Sequence, residues 1–228
     1  MMNSMTAATE FKSAARIQGS ITAAKEKQLL IWMARRTPAW INADHLTLLG
    51  FAGQLLAGAS LALARWDRRG LWLAIFFIAV NWLGDSLDGT LARVRNQQRP
   101  RYGFYVDHMV DTFGASSLMI GLAISGYAHW LVALAMLIAF LVLSIETYLA
   151  TYCVDRFEMS HWLFGPTEVR ILLIIGIAKI YFHSEAHLFG HTYMLFDIGG
   201  AIAAAGMILL AIIATVMHTR ELYRRETI

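Results

Sequence analysis

Four aspartates form two closely spaced pairs in the first half of this 228-residue chain. Asp85 and Asp88 are three residues apart. Asp107 and Asp111 are four residues apart, and on an α-helix either spacing places both side chains on one face. Four carboxylates close together need a compensating charge, and carboxylate oxygens are ligands that Mg²⁺ and Mn²⁺ prefer. The pattern therefore predicts a site for one or two divalent metal ions.

The residues beside the aspartates suit a substrate that carries phosphate. Gly89 and Gly103 lack side chains, which allows a substrate to approach the backbone closely. Arg93 offers a planar set of donors that matches phosphate oxygens. Metal ions beside such an arginine indicate phosphoryl-type transfer, with Asp111 as the first candidate for the general base and His108 as the second. An alternative of another class is a cation- or proton-coupled transporter that uses the aspartates as its ion site.

The composition indicates a protein of the lipid bilayer. Hydrophobic residues make up 57% of the chain and charged residues 15%, whereas soluble domains have about 25% charged residues. The chain contains six apolar segments near the roughly 20 residues that cross a bilayer, at 46–64, 71–91, 102–127, 130–153, 169–182 and 193–217. The predicted fold class is an all-α integral membrane protein, a six-transmembrane-helix bundle with an N-terminal amphipathic juxtamembrane helix.

The chain divides into four parts by composition. Residues 1–20 are predicted to be a mobile segment, and residues 21–40 an amphipathic helix on the membrane surface, with a soluble basic linker as the alternative. Residues 41–220 form the predicted transmembrane domain, and residues 221–228 form a cytoplasmic tail. The single cysteine, Cys153, excludes an internal disulfide within this sequence.

The lysines and arginines predict the orientation in the membrane. Most of them fall on one side of the six apolar segments, which is the cytoplasmic side by the positive-inside rule. Both termini and the aspartates are then cytoplasmic. Arg95, Arg99 and Arg101 are interpreted as positive-inside anchors, and the cluster at 65–69 is a local exception.

The aspartates and their neighbours resemble the signature of the CDP-alcohol phosphotransferase (phosphatidyltransferase) family. This chain fills the eight fixed positions of that signature with Asp85, Asp88, Gly89, Ala92, Arg93, Gly103, Asp107 and Asp111. The resemblance implies that the four aspartates hold Mg²⁺ or Mn²⁺, and that Asp111 activates the acceptor hydroxyl. It assigns both glycines, Ala92 and Arg93 to the nucleotide and donor site. The implied enzyme of phospholipid biosynthesis transfers a substituted phosphate from a CDP-linked donor to an alcohol and releases CMP.

The resemblance leaves the substrates open. The compact length is similar to that of bacterial phosphatidyltransferases, which favours CDP-diacylglycerol as donor, a small polar alcohol as acceptor and a bacterial inner membrane. The alternative is a choline- or ethanolamine-type enzyme with a CDP-linked head group and diacylglycerol, to which His108 and the run at 165–168 are similar. The pattern of phosphatidylglycerophosphate synthases is missing, because Thr112 follows Asp111. The family also implies a homodimer, and no nucleic-acid partner is expected.

Three charged residues outside the signature are candidates for the acceptor pocket. Glu146 lies in the fourth apolar segment, where an unpaired carboxylate is costly, so it either lines the pocket or pairs with Arg170. Glu168 and Arg170 open the fifth segment. Arg170 is expected either to bind an acceptor phosphate or donor head group, or to form a salt bridge at the membrane boundary.

Overall fold

The computed structural model describes residues 15–17, 23–154, 156–158, 166–188 and 190–226. Most of these residues lie in the helices α1 (Ala23–Arg36), α2 (Ala43–Leu63), α3 (Arg69–Val94), α4 (Pro100–Ser125), α5 (Trp130–Val154), α6 (Pro166–Phe182) and α7 (Leu195–Arg225). The short parallel strands are β1 (Ala15–Ile17) and β2 (Arg156–Glu158). The strands β3 (Glu185–Leu188) and β4 (His191–Met194) form an antiparallel hairpin before α7. The rest of the predicted mobile segment, residues 1–14 and 18–20, lies outside the described residues.

Each of the six predicted apolar segments contains one helix, from α2 to α7. Four of them, α2, α3, α5 and α7, are long and apolar enough to cross a membrane. The helix α6 has only 17 residues. The helix α4 is long enough, but its aspartates, His108 and its serines lower its hydropathy. The chain is therefore an all-α multi-pass membrane protein. The helix α7 continues to Arg225, into the segment predicted to be a tail.

The helix α2 is the scaffold of the aspartate region. It packs along both α3 and α4, whereas the described parts of α3 and α4 make almost no close contact with each other. The aspartates of α3 and α4 are therefore brought together by side chains that reach across from two helices packed on α2.

Glycines explain how α2 holds both helices. A Cβ atom on Gly84 of α3 would lie 2.4 Å from the backbone nitrogen of Gly50. A Cβ atom on Gly121 of α4 would lie 2.0 Å from the carbonyl oxygen of Gly58. Both distances are far shorter than a carbon atom tolerates, so these backbones approach closely only because both helices carry glycine there.

Apolar packing fixes α1 and α6 to the bundle. Leu30 and Ala34 of α1 are buried against Leu46, Leu87 and Leu91, where α2 begins and α3 ends. At the other end of α3, the main core includes the buried side chains Leu61, Leu71, Leu122, Ile177 and Ile180. The end where α2 and α4 begin and α3 ends is called the site end below.

Candidate functional site

A small cavity at the site end lies between the three helices α2, α3 and α4. Its volume is about 10 Å³, which is room for one occupant of the size of a water molecule. The lining residues are Thr47, Gly50, Phe51, Asn81, Asp85, Asp88, Asp107, Val110 and Asp111. All four predicted carboxylates thus border one cavity, although the backbones of α3 and α4 are packed mainly against α2.

Three of the four carboxylates form a compact group. Asp85, Asp107 and Asp111 each offer one oxygen atom, and these atoms lie within 4.8 Å of one another. The donors are oxygen atoms, which suits a hard cation such as Mg²⁺ or Mn²⁺. The residues present therefore fit a divalent metal ion.

Asp88 differs from the other three aspartates. Its Oδ2 atom accepts a hydrogen bond of 2.6 Å from the hydroxyl of Thr47, and its Oδ1 atom accepts one from the backbone nitrogen of Gly89. The bond from Thr47 ties α3 to α2, and both bonds hold Asp88 at the edge of the cavity.

Arg170 of α6 neutralises part of the carboxylate charge. Its Nη2 atom donates to Oδ2 of Asp85 over 2.7 Å, and the two side chains are only 15% and 24% exposed. A partly buried guanidinium beside several carboxylates offsets their mutual repulsion. Glu168 lies two residues earlier on the same helix and is partly buried.

Glu146 does not pair with Arg170, so that expectation is wrong. Its Oε1 atom lies 2.6 Å from Nδ1 of His218 on α7, and its side chain is 11% exposed. His218, which is 72 residues away along the chain, was not identified from the sequence. Its position directly after a long apolar segment was a usable signal, because ionisable residues at the depth of such segments need a partner.

The predicted nucleotide residues lie on the open side of the site end. Arg93 is exposed, and its Nη2 atom donates to the hydroxyl of Thr90 over 3.0 Å. The guanidinium lies above Gly89, where an added Cβ atom would be 3.4 Å from Nη1 of Arg93. An added Cβ atom on Gly103 would meet no described atom within 4 Å. Ala92, which lies between the two glycines along the chain, is partly buried.

His108 packs between two aromatic rings. Its ring centroid is 4.1 Å from that of Phe104 and 4.4 Å from that of Tyr148 on α5. Its Nδ1 atom lies 2.5 Å from the carbonyl oxygen of Phe104. Because a carbonyl oxygen only accepts, Nδ1 is the donor in this bond. Sequence reasoning did not identify Tyr148.

Buried amide side chains lie next to the aspartates, one helical turn further from the site end. Asn81 lies one turn before Asp85, and its Nδ2 atom donates to the carbonyl oxygen of Gly50 over 3.0 Å and to Oε1 of Gln54 over 3.4 Å. Gly114 of α4 leaves the space that the Gln54 side chain occupies. Buried polar groups with satisfied hydrogen bonds fix the relative positions of the helices that carry them.

Two of the predicted anchor arginines brace the loops at the site end. Arg95 donates to the carbonyl oxygens of Ile41, Thr37 and Pro38 over 2.5, 2.9 and 3.0 Å. Arg99 forms an ion pair with Asp44, and its guanidinium lies 4.1 Å from the ring centroid of Tyr102. These contacts hold the start of α2 against the connection between α3 and α4.

Comparisons with known proteins agree on one family. A sequence model described as CDP-alcohol phosphatidyltransferase matches residues 40–219. The archaetidylinositol phosphate synthase of Pyrococcus horikoshii is 29% identical over 120 residues, which cover 53% of this chain and 57% of the relative. The phosphatidylinositol phosphate synthase of Cutibacterium acnes is 30% identical over 111 residues, which cover 48% of this chain and 51% of the relative. The chain spans about half the length of the curated relatives it matches.

Solved structures show a related fold. The crystal structure of the Mycobacterium tuberculosis phosphatidylinositol phosphate synthase with CDP-DAG bound has a TM-score of 0.51 at 20% identity, covering 86% of this chain and 92% of that chain. The same mycobacterial protein in complex with manganese and citrate has a TM-score of 0.51 at 19% identity, with 87% of each chain covered. At this identity the likeness concerns the fold alone.

Proposed function

The chain belongs to the CDP-alcohol phosphatidyltransferase family, and from this premise we propose that it is a membrane transferase of phospholipid synthesis. It transfers a substituted phosphate from a CDP-linked donor to an alcohol and releases CMP. The observation that carries the proposal is the group of carboxylate oxygens from Asp85, Asp107 and Asp111, within 4.8 Å of one another. The exposed Arg93 lies at the same end of the bundle, where a phosphate-bearing donor has access.

Asp85, Asp107 and Asp111 would hold a Mg²⁺ or Mn²⁺ ion, and Asp88 at the edge of the cavity is suited to share a second one. When bound, such an ion neutralises negative charge on phosphate oxygens during transfer. The oxygen-only donor set supports this assignment, as does the manganese reported for the mycobacterial protein of the same fold.

The side chains of this protein orient the reactants and move one proton. Arg93, with its planar set of donors, binds phosphate oxygens of the donor. The acceptor oxygen forms a bond to phosphorus while the bond to the CMP oxygen breaks, and Asp111 takes the hydroxyl proton. His108 is the second candidate for this proton, because it directly follows Asp107 on α4. Gly89, Ala92 and Gly103 keep the donor side open.

The acceptor pocket lies beside the start of α6 in this proposal. Glu168 and Arg170 border it, whereas Glu146 bonds His218 and has a structural role between α5 and α7. The curated relatives are named as synthases of an inositol phosphate lipid, which favours a polyol phosphate as acceptor. The CDP-DAG bound to the mycobacterial protein of the same fold favours a CDP-linked lipid as donor. We therefore propose CDP-diacylglycerol with a small polar alcohol, in preference to diacylglycerol with a CDP-linked head group.

The proposed topology has six membrane spans, with α4 and α6 included, and a cytoplasmic site in a bacterial inner membrane. Successive helices run in alternate directions, because α2, α4 and α6 begin at the site end whereas α3 ends there. Exposed Leu29 and Trp32 beside basic residues suit α1 for the membrane surface. The assembly is proposed to be a homodimer.

Cysteine labelling tests the orientation. A cysteine introduced at Thr192, in the β3–β4 hairpin, should react with an impermeant maleimide from outside intact cells when Cys153 is replaced by serine. Labelling only after lysis would contradict this orientation.

A transfer assay tests the function. Purified protein in lipid–detergent micelles is incubated with radiolabelled CDP-diacylglycerol or CDP-choline, Mg²⁺ and a panel of alcohols that includes inositol phosphate, inositol, glycerol phosphate and diacylglycerol. The expected result is CMP release coupled to a labelled lipid product with one polar alcohol and CDP-diacylglycerol. Ion uptake into proteoliposomes without any product lipid would instead support the transporter.

A further inference from the structure

Glu26 of α1 joins the two helices that carry the Arg170–Asp85 ion pair. Its Oε1 atom accepts a hydrogen bond of 2.9 Å from Nε1 of Trp82 on α3. The same oxygen accepts a bond of 2.7 Å from the hydroxyl of Thr167 on α6. One carboxylate of α1 therefore bridges two other helices, which a helix lying only on the membrane surface would not do.

Both donors lie close to the ion pair along their helices. Trp82 precedes Asp85 by three residues, and Thr167 precedes Arg170 by three residues. Residues at this spacing are neighbours on one face of a helix. The bridge through Glu26 and the ion pair Arg170–Asp85 thus form two adjacent connections between α3 and α6.

Packing beside Glu26 keeps this bridge in place. Leu30, one turn after Glu26, and Ala34 are 7% and 2% exposed, against Leu87 and Leu91 of α3. Buried side chains in close packing resist small shifts of the backbone. The position of Glu26 relative to α3 is consequently set by the apolar contacts, and its carboxylate contacts α6 through Thr167.

We propose that Glu26 is a positioning residue for the metal site. It fixes the separation of α3 and α6 through Trp82 and Thr167, and it thereby holds Asp85 and Arg170 in the geometry that the carboxylate group requires. The helix α1 is accordingly part of the scaffold of the site as well as a candidate membrane-surface element. This inference rests on the metal site of the proposed function.

Direct measurement of Mn²⁺ affinity tests the proposal without a transfer assay. Mn²⁺ is titrated into the purified protein in detergent and followed by electron paramagnetic resonance. Mutating a residue that hydrogen-bonds a metal ligand typically weakens metal binding by about 10- to 100-fold. Glu26 contacts no ligand directly and acts through Trp82 and Thr167. Glu26→Ala should therefore weaken Mn²⁺ binding by a smaller factor, about three- to tenfold. Glu26→Gln should retain nearly full affinity, because the amide oxygen accepts the same two bonds. Lys27→Ala, at an exposed neighbouring position, is the matched control and should bind like the wild type.

A double-mutant cycle separates the bridge from a general loss of stability. Thr167→Val removes one donor and leaves α1 unchanged, and it should weaken Mn²⁺ binding by about two- to threefold on its own. Combined with Glu26→Ala, it should add little further loss, because the bridge is already broken. Strictly additive losses would overturn the proposal, as would full affinity in Glu26→Ala or equal losses in Glu26→Ala and Glu26→Gln. If Glu26→Ala does not fold, Trp82→Phe replaces it in the cycle. Trp82→Phe should weaken Mn²⁺ binding on its own, and its combination with Thr167→Val should add little further loss.

The failure of this inference is distinguishable from the failure of the proposed function. A wild-type protein that binds no Mn²⁺ overturns both. A wild-type protein that binds Mn²⁺, with Glu26 variants that bind it equally well, overturns only the role of Glu26.

Discussion

The helices α2 and α3 contact their neighbours differently from α5 and α7. In the most apolar stretches of α2 and α3, 44% and 39% of the residues are buried inside the protein, against 11% and 17% for α5 and α7. The first group approaches backbone to backbone at Gly50 and Gly84. In the second group, Gly200 of α7 faces the side chains of Met136 and Val132 of α5.

The predicted metal ligands lie where the helices pack most closely. Every aspartate of the predicted metal site lies on α3 or α4, the two helices that glycines bring against α2. Backbone contacts leave little freedom of movement, which suits carboxylates that must stay within a few ångströms of one another. Contacts through flexible side chains such as Met136 tolerate adjustment, and the exposed apolar residues of α5 and α7 suit contact with lipid.

The largest expected effect is on turnover, at the aspartates of α3 and α4. Asp111→Asn removes the proposed proton acceptor, so turnover should fall by about a thousandfold. The matched variant in the second group is Asp197→Asn, whose oxygen continues to accept the 2.6 Å bond from the backbone of His129. It should retain normal turnover. Rates from the transfer assay check both; near-normal turnover in Asp111→Asn would remove that residue from the base role.

The next effect concerns stability and tests the glycine contacts. Gly84→Ala places a Cβ atom 2.4 Å from a backbone nitrogen of α2, which cannot move aside alone. The free energy of unfolding should fall by roughly 3 kcal/mol, as for overpacked cores. Gly206→Ala of α7, where no described atom lies within 4 Å of the added Cβ, should leave the melting temperature unchanged. Equal melting temperatures for the two variants would show that α2 and α3 are not held as described.

A moderate effect is expected at the nucleotide side. Arg93→Lys replaces a planar fork with a point charge, so CDP affinity should weaken by about tenfold. Arg224→Lys, at an exposed position of α7, is the control and should not change CDP affinity. Isothermal titration with CDP in the presence of Mg²⁺ measures both; unchanged affinity in Arg93→Lys would contradict the assignment of the nucleotide site.

The smallest effect is expected in the second group. Glu146→Gln replaces the carboxylate that contacts His218 with an amide and should lower the free energy of unfolding by about 1 kcal/mol. The Michaelis constant for the acceptor and the affinity for CDP should stay at their wild-type values. A raised Michaelis constant with an unchanged melting temperature would return Glu146 to the acceptor pocket.

Local patterns in the sequence predicted much of this molecule. The apolar segments predicted α2 to α7, because their length and composition are set residue by residue. The helical spacing of the aspartates predicted that Asp85, Asp107 and Asp111 would face one another. The ends of the helices differed by a few residues, as at α7, which continues to Arg225.

Contacts between distant segments could not be predicted in the same way. The position of α2 between α3 and α4 depends on glycines such as Gly50 and Gly58, which have many other roles in membrane helices. The ion pair of Arg170 with Asp85, the pair of Glu146 with His218 and the bridge at Glu26 each join residues on different helices. No local pattern selects one such partner over another, since each charged residue has several candidates at a similar depth.

The dependence of CDP binding on a divalent ion tests the central claim most directly. The melting temperature of the purified protein is measured with and without CDP, in Mg²⁺ or Mn²⁺ and after chelation, for the wild type and for Asp107→Asn. We predict that CDP raises the melting temperature of the wild type only when the divalent ion is present, and that it has no such effect on Asp107→Asn. An equal rise after chelation, or in Asp107→Asn, would contradict the claim that these carboxylates bind a metal ion for a CDP-linked substrate.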